Sequence, residues 1–157
     1  MIRFTLAIAA FFATSTLVTA SDDLVGYYYP EITSEENFDR LIRDEDNSSK
    51  SVRVDFVNQI TNAQLDSPES PRFVFFAKGN DASTLILTAL DDDVLSTLYR
   101  ARAIMAQLTV SVRQNGFYQQ EELQDVVTFY DLLQLMHFEE LLITDGETWT
   151  HRVNFKR

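Results

Sequence analysis

Hydrophobic residues recur through residues 92–113 with a helical period. Val94, Leu98, Ala101, Met105, Leu108 and Val112 follow one another at alternating steps of four and three. That spacing draws a single apolar stripe along one helix. Ser96, Arg100, Ala103 and Gln107 fall on the opposite side, and Gln114-Asn115-Gly116 supplies a stop. The pattern predicts a helix over 92–113. A second helix is expected over 122–137, where Val126, Phe129, Leu133 and Met136 share a face.

Other stretches carry the period of a strand. In Ser51 to Val57, Val52, Val54 and Phe56 alternate with Arg53 and Asp55, which predicts a strand with one buried face. Phe73 to Ala77 and Leu85 to Leu90 are apolar on both sides and read as central strands. Lys78-Gly79-Asn80-Asp81 between them reads as a hairpin turn. A final hairpin is expected from Leu141 to Thr144 and Trp149 to Phe155, joined through Asp145-Gly146-Glu147. Upstream, Thr33-Ser34-Glu35-Glu36 has the spacing of a capping box. It predicts a short helix that carries Phe38, Leu41 and Ile42.

The expected fold is α+β: an antiparallel sheet of about five strands in the order β-β-β-α-α-β-β, with two helices on one face. Strands that are apolar on both sides also need cover on the far face. The segment Tyr27-Tyr28-Tyr29-Pro30 is the expected cover.

The N-terminus changes the picture of where the protein works. Arg3, the apolar run from Phe4 to Phe12, Val18-Thr19-Ala20 and the polar Ser21-Asp22-Asp23 follow the order of a secretory signal. Residues 1–20 are read as that signal, 21–50 as an acidic and aromatic segment, and 51–157 as the α+β domain. The chain has no cysteine, which excludes disulfides and thiolate metal sites. An exported chain without cysteine suits a bacterial periplasm. The net charge is −11, and loss of the signal removes one basic residue and no acid. That field argues against nucleic acid as a partner, and no later stretch predicts membrane insertion once the signal is cut.

Candidate chemistry is sparse. Asp91-Asp92-Asp93 opens the predicted helix, and adjacent helix side chains fan about 100° apart. The triplet is therefore read as a cap, with Asp91 or Asp92 accepting first-turn amides, and no metal is expected there. His137 stands near Glu139 and Glu140, but no second histidine is close enough to complete a zinc set. The four glycines, at 26, 79, 116 and 146, are too far apart for a phosphate cradle. No nucleophile elbow is present. No catalytic residue, metal or cofactor is assigned. His151 shares the apolar side of the last strand with Trp149. The expected recognition surface joins Tyr27, Tyr28 and Tyr29 to Trp149, His151 and Arg152, because aromatic and arginine side chains favour interfaces. The expected partner is a protein or small molecule, and the expected role is binding rather than catalysis.

Four stretches also carry a resemblance: Val25-Gly26-Tyr27-Tyr28-Tyr29-Pro30-Glu31, Phe76-Ala77-Lys78-Gly79, Leu98-Tyr99-Arg100-Ala101-Arg102-Ala103, and Asp145 through Val153. With them the chain resembles a group of small, uncharacterised exported proteins of Gram-negative bacteria. Some of these are labelled molybdopterin-guanine dinucleotide biosynthesis protein A. The label implies a part in molybdenum-cofactor biosynthesis. The nucleotidyltransferases of that name resemble a Rossmann-type fold with a glycine-rich loop. No position here matches that loop, so no catalytic residue carries over.

Overall fold

A computed structural model describes residues 29–40, 49–114, 125 and 127–156. The signal, Tyr27, Tyr28 and most of the first half of the second predicted helix lie outside the described residues.

Five strands form one sheet: β1 (Ser34–Phe38), β2 (Phe73–Lys78), β3 (Thr84–Ala89), β4 (Glu140–Thr144) and β5 (Thr150–Phe155). Their spatial order is β1-β5-β4-β3-β2. Three helices are present among the described residues: α1 (Lys50–Leu65), α2 (Leu98–Arg113) and α3 (Phe129–Leu135). The α+β class is as expected. The sheet, however, is mixed rather than antiparallel, and the element order among the described residues is β-α-β-β-α-α-β-β.

Pairing follows connection length. The short links make β2–β3 and β4–β5 antiparallel hairpins, as predicted. Between Ala89 and Glu140 the chain passes through α2 and α3 before it returns, so β4 lies parallel to β3. β1 lies parallel to β5, with Ser34 opposite His151 and Phe38 opposite Phe155.

Two elements exchange their predicted types. Ser51 to Val57 belongs to α1, not to a strand. Val52 and Phe56 are four apart as well as even-numbered, and Val57 and Ile60 extend the helical side, so both periods fit the first turns. Ser49 caps the helix by accepting the Val52 amide at 3.5 Å. Phe56, Val57 and Ile60 pack on the core. Arg53 is buried and donates to the carbonyls of Asp81 and Met136 at 2.8 and 3.2 Å. Conversely, the predicted short helix at Thr33 is strand β1. Thr33 and Glu36 have the spacing of a capping box, while Ser34, Glu36 and Phe38 alternate along one strand face. Phe38 settles the choice by meeting Tyr130 and Phe155 edge-on, at centroid distances of 5.4 and 5.9 Å.

The core lies between one sheet face and the helices. Phe75, Leu85, Leu87, Leu141, Ile143 and Val153 meet Leu95, Met105, Phe129 and Leu133 there. Burying each such side chain contributes about 1.5–3 kcal/mol. α1 joins this layer, which among the described residues therefore holds three helices rather than two. Ile86 and Leu142 face the other way and are also buried. On that far side the Lys78 ammonium lies 5.1 Å from the Tyr29 ring centre, and the Thr150 hydroxyl donates to the Pro30 carbonyl at 3.2 Å. The described end of the tyrosine segment thus lies over the far face.

α2 buries Ala101, Met105 and Val112 from the predicted stripe, but it starts at Leu98. Thr97 caps it by accepting the Arg100 amide at 3.3 Å. The aspartates precede the helix and cap nothing. Val94 and Leu95 between them and Thr97 are buried, and this pulls the chain into a turn with Asp93 at φ +70°. α3 is capped reciprocally: Thr128 accepts the Asp131 amide at 3.2 Å, and Asp131 accepts the Thr128 amide at 2.8 Å.

Candidate functional site

Four elements meet at the corner where the β1–β5 pair passes under α2 and α3. The parallel register puts Ser34 beside His151, and strand alternation puts Glu36 on the same face. The His151 side chain is 2% exposed. Its Nδ1 lies 2.8 Å from the Ser34 hydroxyl, and Trp149 stacks on its ring at 6.1 Å and 13°. Its Nε2 is buried, makes no hydrogen bond, and faces Glu36 Oε1 at 3.5 Å.

Glu36 is the hub of the corner. The Tyr130 hydroxyl donates to its Oε1 at 3.4 Å, and Arg102 approaches its Oε2 at 3.5 Å. Burial, and then the Glu36 charge, push the Tyr130 hydroxyl far above its ordinary range. Tyr130 therefore stays protonated and remains a donor. Ser34 on β1, His151 on β5, Arg102 on α2 and Tyr130 on α3 surround one half-buried carboxylate.

The lip of this corner continues along the outer side of α2. Tyr99 is 85% exposed and Val110 54% exposed, and Ala103 and Ala106 are exposed between them. These four positions follow steps of four, three and four, so they form a second stripe opposite the buried one. Arg102 lies one turn from Tyr99. α2 contains Arg100, Arg102 and Arg113 and no acid.

A separate acidic hollow of about 330 Å³ is lined by Asp91, Asp92, Asp93, Ser96, Asp145 and Glu147. Three of the aspartate side chains there serve local structure. Asp91 pairs with Arg72 at 3.6 Å and Asp93 with Arg100 at 2.9 Å. Asp145 Oδ1 accepts the amides of Glu147, Thr148 and Trp149 at 2.8–2.9 Å and holds the β4–β5 turn. Burial pushes the Asp145 carboxyl up, but these three amides and the Thr148 hydroxyl outweigh it and leave it below its ordinary value. Among the described residues no group of three or more histidine or acidic side chains is placed to hold a metal.

The expected recognition residues do not gather at one place. Tyr27 and Tyr28 lie outside the described residues. Tyr29 sits at Lys78. Trp149 and His151 are together on the helical side. Arg152 points to the other face and pairs with Glu140 at 2.5 Å and Glu35 at 3.9 Å. The sequence reading missed Ser34, Glu36, Arg102 and Tyr130. Only Ser34 and Glu36 carried a signal, their spacing of two ahead of Phe38.

No family model, curated protein or solved structure matches the chain. Among the described residues no helix is long and apolar enough to cross a membrane.

Proposed function

We propose that the chain is an exported periplasmic binding module without catalytic activity, and that it recognises a protein partner along the outer side of α2. One observation carries this reading. A largely exposed tyrosine and a half-exposed valine bracket two exposed alanines on a helix that is basic in an acidic protein. Solvent-facing helix positions are ordinarily polar, and a tyrosine beside arginine is the composition of an interface centre. The charge contrast names the partner's chemistry: an apolar strip flanked by acidic residues. Such a surface would meet the half-exposed guanidinium groups of Arg100 and Arg102, which within this chain pair with Asp93 and Glu36.

The test is a periplasmic pull-down with the unmodified protein and with Tyr99→Ser/Val110→Ser. Both side chains are exposed, so the variant keeps its fold. Loss of an acidic partner protein supports the reading, and undiminished capture contradicts it. N-terminal sequencing of the exported protein should begin at Ser21, and a start at Met1 contradicts export by signal cleavage.

A further inference from the structure

Arg102 stands beside the exposed stripe of α2, and Glu36 Oε2 holds it there at 3.5 Å. The arginine side chain is 65% exposed, whereas the carboxylate that neutralises it is half-buried. The same carboxylate turns its other oxygen, Oε1, toward His151 Nε2 at 3.5 Å. That nitrogen is buried and has no hydrogen bond. Glu36 thus stands between a permanent cation and an imidazole, the side-chain type whose charge changes between about pH 5 and 8.

The groups around the imidazole come from four elements. β1 presents Glu36 and the Ser34 hydroxyl, which lies 2.8 Å from Nδ1. α2 presents Arg102, which reaches the imidazole through Glu36. α3 presents Tyr130, whose hydroxyl donates to Glu36 Oε1 and stays protonated. The cross-strand neighbour on β4 is Ile143, and Trp149 stacks on the ring. Among these groups Glu36 is the one acid and Arg102 the one cation. Neutral imidazole has one N–H, so it donates toward Ser34 or toward Glu36 but not both. The imidazolium donates at both nitrogens, and each faces an oxygen.

The charge of the corner follows from these partners. With neutral imidazole, Glu36 and Arg102 cancel. With imidazolium, one carboxylate faces two cations, and one positive charge is left over. The imidazole is buried, so Arg102 is the cation that meets solvent.

We infer that His151 is a proton-operated switch on the α2 surface. Protonation commits Glu36 to the imidazole and leaves the Arg102 charge free to face an acidic partner. The switch regulates the α2 surface proposed above and, for its effect on a partner, rests on that reading. Recognition strengthens as pH falls through the histidine interval. An acidic partner keeps its own charge there, because ordinary carboxylates titrate near about 4. Within this chain, the shifted groups Asp145 and Tyr130 change charge outside that interval.

An NMR titration of the purified protein tests the switch with no partner present. The imidazole signals of His151 and the side-chain Nε–H of Arg102 are followed between about pH 5 and 8. The expected result is one shared midpoint, with the Arg102 response lost in His151→Phe and in Glu36→Gln. His151→Phe also separates His151 from His137, the other histidine. Should that variant fail to fold, Glu36→Gln decides, since the amide keeps the shape of the side chain. A His151 signal that stays flat overturns the inference, and so does an Arg102 signal that stays flat while His151 titrates. Photo-cross-linking from position 103 reads the consequence. Capture of an acidic partner should rise about two- to fivefold at the acid end, the worth of one exposed ion pair. Glu36→Gln should capture at the higher level at both ends, and His151→Phe at the lower level at both. Wild-type capture that is independent of pH overturns the inference. Absence of capture at every pH overturns the α2 reading instead, and the NMR midpoints then decide the switch alone.

Discussion

His151 Nε2 lies 3.5 Å from Glu36 Oε1 across two parallel strands, without a hydrogen bond between them. The imidazole is held by Ser34 on one side and by Trp149 against its face. His151→Phe keeps the stacked ring and removes the polar atoms. Ser34 then loses its partner at His151 Nδ1. A loss of about 1–3 kcal/mol is expected in urea unfolding. A change below a few tenths would mean that the Ser34 contact contributes nothing to the fold.

Acid should loosen the last hairpin. The Asp145 carboxyl sits below its ordinary value of 3.8 in the folded chain. A depressed carboxylate contributes stability that is present above the unfolded value and is lost as pH falls through the folded one. The contribution therefore persists at neutral pH and fades only below 3.8. Asp145→Asn removes that dependence and flattens the acid limb of stability against pH. An unchanged acid limb would contradict the role given to the three amide contacts.

Alkali acts at Tyr130. The Tyr130 hydroxyl is raised above its ordinary 10.0 by burial and by Glu36. A raised folded value gives stability that is complete below the unfolded value and is lost as pH rises past it. Wild type should lose stability above pH 10.0, and Tyr130→Phe should lose less. Paired urea titrations at neutral and alkaline pH check this. Parallel losses in the two proteins would contradict it.

The parts of the fold that were legible in the sequence are those where one period fits. The stripe Leu98, Ala101, Met105, Leu108 and Val112 admits only a helix, and Asp145-Gly146 between apolar runs admits only a hairpin. Val52 and Phe56 satisfy both periods, so α1 read as a strand. Thr33 and Glu36 fit a cap while Ser34, Glu36 and Phe38 fit a strand face, so β1 read as a helix. In each case tertiary contact decides: Arg53 with the carbonyls of Asp81 and Met136, and Phe38 with Tyr130 and Phe155. The corner was hidden for another reason. Ser34, Glu36, Arg102, Tyr130 and His151 come from four elements, and only the parallel β1–β5 pairing brings them together. The aspartate triplet misled in the opposite sense. Its charge suggested the helix start, but burial of Leu95 ahead of Thr97 moved that start to Leu98.

Site-specific photo-cross-linking in exporting cells tests partner recognition most directly. A photoreactive residue is placed at Tyr99 or Ala103 on α2, and at Arg152 on the far face as the comparison. The expected result is one cross-linked acidic protein from positions 99 and 103 and none from 152. Capture from position 152 alone, or a cross-linked dimer of this chain alone, would contradict recognition of a partner through α2.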